Sequence, residues 1–152
     1  MSKVWTYIIS IPMGDVELEQ LLKAGKTFVE HWTAHDHKLS ATFEIFKKRI
    51  IVVKVNEDVT NASGCSIDKL TRFIKVSETM FGAELLNRFL IAYKDEENVE
   101  VVHATKVKDL LAQHILSDQT IVYNTSIANE KEFQNWEQPL KETWLSKYLI
   151  KS

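Results

Sequence analysis

Two β-branched and aromatic runs, residues 40–46 (SATFEIF) and 49–55 (RIIVVKV), are separated only by Lys47-Lys48. Such residues favour extended backbone. A connection this short makes the pair a hairpin, although it lacks the Asn-Gly or Gly-Gly expected of a primed turn. The hairpin divides two amphipathic stretches. Residues 15–34 carry Leu18, Leu21, Leu22, Phe28, Val29 and Trp32 at helical spacing. Asp15, Glu17 and Glu19 put acid near the start of that helix, where the dipole favours it. Residues 66–81 place Ile67, Leu70, Phe73, Ile74, Met80 and Phe81 on one face, and Gly82 follows as a C′ residue.

With a strand over 4–12 and another over 88–93, the order is β-α-β-β-α-β, that of a ferredoxin-like split βαβ core. Residues 88–93 and 98–103 form a second hairpin around Lys94–Glu97. A short helix follows over 105–116, with Thr105 as its cap, then a strand over 120–124. Asn129 and Glu132 make a start resembling a capping box, and Pro139 opens a final helix over 139–149. The expectation is one α+β domain over 1–152. Its sheet carries helices on one face, with added strands and C-terminal helices beyond the ferredoxin-like core.

The chain is long enough to bury a core without staples, with 45% hydrophobic residues. A net charge of −2 lacks the basic excess of a nucleic-acid surface, so no nucleic-acid partner is expected. The single cysteine excludes an internal disulfide framework and points to a cytoplasmic protein. The opening MSKVWTYIISIPMGD has too short and interrupted an apolar run for a secretory signal. No stretch reaches the length of a membrane span. The sequons at Asn61 and Asn124 therefore carry no weight.

That cysteine, Cys65, lies in NASGCSID, where a polar loop meets the second helix. Ser66 is the expected N-cap, and Gly64 lets backbone approach a ligand. Gly64, Cys65 and Ser66 would then form an anion-binding nest in which the helix dipole favours a thiolate, with Ser63 crowding the same turn. Asp68 competes for the same amides. The plainer alternative is a turn, a cap and a small buried residue.

HWTAHDH, residues 31–37, holds three of the five histidines. If the helix persists, His31 and His35 share a face at i, i+4, as paired metal ligands do, and Asp36 and His37 add donors. There is no HExxH, because Trp32 stands where Glu would, and there is no cysteine pair. A helix C-terminus is also a favourable place for histidine. If the two helix ends meet, Cys65 and His35 make a nucleophile–base pair with Asp68 or Asp36 as orienter.

Gly25-Lys26-Thr27 imitates the end of a phosphate loop, but the motif needs glycine at position 20, which is Gln20, and Gly25 lies inside a helix. Nucleotide hydrolysis is set aside. The spread of Trp5, Trp32, Trp136 and Trp144 suits core or dimer packing, with Trp136 and Trp144 placed in C-terminal helices.

At HWTAH, ASGCSID and NTSI the chain resembles a group of small uncharacterised bacterial proteins, some labelled "ABC transporter ATPase". The resemblance implies no activity, and the label has no complete phosphate loop or ABC signature behind it here. The leading expectation is a non-catalytic ligand-binding or protein-interaction domain. Trp32, His35, Ser63, Gly64, Cys65 and Ser66 would line its pocket, and the partners would be a small ligand or anion and a second copy of the chain. Its cofactor is unknown. A thiol-dependent enzyme using Cys65, His35 and Asp68 is the alternative. A divalent-metal protein using His31, His35 or His37 is third.

Overall fold

Every residue of Ile50–Val53 and Val55 is buried, so the strand that holds them needs cover on both faces. A computed structural model of the chain describes residues 1–149 and shows how that cover is supplied. The elements are β1 (Ser2–Ile8), α1 (Asp15–Glu30), β2 (Thr33–Ala34), β3 (His37–Lys38), β4 (Ala41–Phe46), β5 (Ile50–Asn56) and α2 (Gly64–Phe81). They continue with β6 (Leu90–Asp95), β7 (Asn98–His103), α3 (Val107–Ala112), β8 (Ile121–Tyr123), α4 (Glu130–Phe133) and β9 (Glu137–Pro139). Short 3-10 turns complete the C-terminal part at Leu140–Glu142 and Trp144–Leu149.

The strands form three antiparallel sheets, ordered β1-β5-β4, β2-β3 and β7-β6-β8-β9. Period-two alternation assigns each face. Ile51, Val53 and Val55 face α1 and α2, with Leu21, Leu70 and Ile74. Ile50 and Val52 face the other way, onto Leu90, Ala92 and Tyr123 of the four-stranded sheet. The far side of that sheet, through Ile91, Tyr93 and Val122, packs on Val107, Leu116, Leu140 and Leu145. The result is helices, sheet, sheet and helical turns in four layers.

The α+β class is as expected, but the sheets do not show a ferredoxin-like order. Three strands have its 1-3-2 arrangement, while β6 joins the second sheet instead of pairing with β1. Two features account for this. The edge of β1 is occupied by the 125–129 segment, where the Val4 amide donates to the Ala128 carbonyl at 3.0 Å and the Thr6 hydroxyl to the Thr125 carbonyl at 3.1 Å. In addition, β6 is apolar on both faces, which suits a strand covered on two sides. Helices therefore flank a pair of sheets instead of lying on one face of a single sheet.

The Lys47-Lys48 hairpin forms as expected, with left-handed φ values of 48° and 66° that give the primed turn without glycine. Gly82 ends α2 with φ 65°. Helix α1 stops at Glu30, four residues before its expected end, and the chain folds into the β2-β3 hairpin. The expected helix over 105–116 is shorter, running from a 3-10 turn at Ala104 to Ala112, and the His103 side chain caps it in place of Thr105. The expected helix at 139–149 is replaced by β9 and 3-10 turns. Pro139 is tolerated in β9 because that strand lies at the sheet edge.

Gly25 is buried on α1 against the ring of Phe43, and a Cβ there would overlap that ring. Gly25→Ala gains helix propensity worth about 1 kcal/mol but overpacks a filled core, which costs about 1–3 kcal/mol or more. The expected outcome in urea denaturation is net destabilisation, relieved when Phe43→Leu is added. A stabilised single variant would contradict the α1–β4 packing.

Candidate functional site

The two segments singled out by sequence do come together at one edge. Trp32 is buried just past the end of α1, and its indole N–H donates to the Ser66 carbonyl at 2.8 Å. The small β2 strand packs on α2. The joint is structural in character. Ser63, not Ser66, is the N-cap, and the two serines form a reciprocal capping box. Gly64 therefore lies in the first turn instead of the loop, and no neighbour approaches it closely.

Cys65 is exposed in that same first turn, which corrects the alternative of a small buried residue. His35, Asp36, His37 and Asp68 are also exposed. His35 sits at the tip of the β2-β3 turn with φ 51°, followed by Asp36 at 67°, so the helical i, i+4 relation to His31 does not exist. His31 instead caps α1 and returns to the Thr27 carbonyl at 3.0 Å. Among the described residues no hydrogen bond or ion pair joins Cys65, His35 and Asp68, and no group of three or more His, Cys, Asp or Glu is placed to hold a metal ion.

A concave site lies elsewhere, where the ends of β6 and β8 meet the C-terminal turns. It is a cleft of about 200 Å³. Ile91 and Val122 form part of its apolar wall, and Asn124, Thr125 and Ser126 run along one side. That loop is held rigidly. The Asn124 side chain accepts from the Ser126 amide at 2.9 Å, and the Asn124 amide donates to the Trp136 carbonyl at 2.7 Å. Gln138 and Thr143 add neutral hydrogen-bonding groups.

Charge enters the cleft from Arg88 and Glu142, both exposed. The Arg88 guanidinium donates to the Thr6 carbonyl at 3.1 Å and lies 5.6 Å from the Tyr7 ring centre. Burial pushes the Tyr7 phenol up to about 12, against the opposing pull of Arg88. Trp144 stands at the cleft with 57% of its surface exposed, and the Lys147 ammonium lies 5.1 Å from its ring centre. Trp136, expected in a helix, is instead buried between α4 and β9.

Arg49 is the other unusual cation. It is buried and donates to the Ile9 and Ser10 carbonyls, closing the end of β1. Burial pulls its pKa below the usual range, and the Glu100 carboxylate opposes that shift. Its donors are turned onto backbone, which makes it a structural clasp.

Sequence reasoning does not find the cleft. The signal available to it is the polar run Asn124-Thr125-Ser126 directly after an apolar strand, since loops at strand ends on a rigid scaffold commonly carry binding groups. Arg88 gives no such signal, because its neighbourhood is assembled from distant parts of the chain. Comparison with protein-family models, curated proteins and solved structures finds no match to this chain.

Proposed function

We propose that this chain is a non-catalytic binding domain whose small ligand sits in the cleft beside Arg88, Asn124–Ser126 and Trp144. One observation carries the reading: a guanidinium, a carboxylate, fixed loop polar groups and an exposed indole converge on a single concavity with an apolar wall. Small-molecule sites likewise set placed polar groups against an apolar wall, and in this cleft the polar groups are the larger share. The thiol-enzyme and metal readings gain no comparable support: among the described residues no hydrogen bond or ion pair joins Cys65, His35 and Asp68, and no group of three or more His, Cys, Asp or Glu is placed to hold a metal ion.

The test is a screen of small metabolites against ¹⁵N-labelled protein. Binders are expected to shift the Asn124–Ser126 amides and the Trp144 indole, with unchanged affinity in Cys65→Ser. Shifts centred on residues 33–37 and 63–68, or loss of binding in Cys65→Ser, would move the site to the α1–α2 joint and overturn the proposal.

A further inference from the structure

The cleft is not merely polar; it presents one charge of each sign. Arg88 spends one of its five N–H donors on the Thr6 carbonyl, which leaves the fork able to grip a carboxylate. Glu142 lines the same cleft, yet among the described residues neither group forms an ion pair, with the other or with a third residue. Neither charge is committed to a protein ion pair, so each is open to an opposite charge on a ligand. The same cleft has an apolar wall at Ile91 and Val122, and Trp144 offers an exposed side chain.

We infer that the cleft takes a small amino-carboxylate with an apolar body, its carboxylate on Arg88 and its ammonium on Glu142. This rests on the binding reading above. The charge pattern also sets what is refused. A simple anion would meet the Glu142 carboxylate, and a simple cation the Arg88 guanidinium, so the pair discriminates by repulsion as well as attraction. The volume of about 200 Å³ falls below the ~300 Å³ at which drug-sized pockets begin, and so suits a ligand of amino-acid size.

The experiment titrates ¹⁵N-labelled protein with L-phenylalanine, whose charges are adjacent, and 6-aminohexanoate, whose charges are separated. The single-charge controls are 3-phenylpropionate and phenethylamine. At least one zwitterion is expected to shift the Trp144 indole and the Asn124–Ser126 amides. Both controls should bind about tenfold or more weakly, the worth of one charged hydrogen bond. Arg88→Gln should erase the preference over phenethylamine, and Glu142→Gln the preference over 3-phenylpropionate. Both side chains are exposed, so the variants should fold, and a native-like spectrum checks this.

If 3-phenylpropionate binds as tightly as either zwitterion, the site is a plain anion site and the inference fails while the cleft stands. The inference fails in the same way if metabolites from the screen bind there but neither zwitterion does. If no compound of either set shifts these resonances, the binding reading itself fails.

Discussion

Trp136→Ala is expected to cost about 3–5 kcal/mol of folding stability, the usual range for emptying a buried tryptophan site. The reason is its position between the two sheets. Its ring packs 5.1 Å from Phe46 at the end of β4, 4.9 Å from Tyr123 on β8 and 4.8 Å from Phe133 on α4, measured between ring centres. Each aromatic pair adds about 0.5–1.5 kcal/mol beyond burial. Urea denaturation reads the loss. A Trp136→Ala, Phe46→Ala double-mutant cycle should show coupling of about 0.5–3 kcal/mol, because the residues touch across the seam. Trp144→Ala is the control. That residue is 57% exposed, so its change should stay within about 0.5 kcal/mol. Equal effects at Trp136 and Trp144 would mean that the two sheets do not share this core.

That seam marks how far the sequence could be read. Element type was legible where the period was strong: the 40–46 and 49–55 hairpin forms, as do α2 with its Gly82 stop and the second hairpin, whose first strand is Leu90–Asp95 in place of the expected 88–93. Pairing beyond adjacent strands was not legible. Leu90, Ala92, Ile91 and Tyr93 alternate onto two different cores, and nothing local distinguishes a strand buried between two layers from one that returns to pair with β1. The C-terminal helix failed for a related reason. Pro139 suits the first turn of a helix and an edge strand equally well, and Leu140 and Leu145 after it find apolar partners on sheet strands. The site suffered most. Cys65 and the histidines drew attention as reactive residue types, whereas the cleft is made of an arginine, a loop and a tryptophan that only the tertiary fold gathers.

Trp32→Ala is the second large expected effect, again about 3–5 kcal/mol, and it decides how α1 ends. Trp32 fits the helical stripe of Leu18, Leu21, Phe28 and Val29, so periodicity alone carries the helix through it. In the fold its ring lies 5.2 Å from Phe28 and 6.0 Å from Trp5, and its indole bonds the Ser66 carbonyl at 2.8 Å. The backbone behind it turns into β2-β3, with the Leu39 amide returning to the Trp32 carbonyl at 2.9 Å. Trp32→Phe keeps an aromatic ring but removes the donor, so it isolates a hydrogen bond of about 1 kcal/mol together with the lost ring volume. Trp32→Ala should also abolish hydrogen-exchange protection of the Leu39 amide, since the hairpin loses its anchor. A small loss of stability with new protection at residues 33–35 would show the helix running on, and would restore the i, i+4 relation of His31 and His35. Large destabilisation with an unprotected hairpin would instead establish that one buried indole sets the helix boundary and keeps those histidines apart.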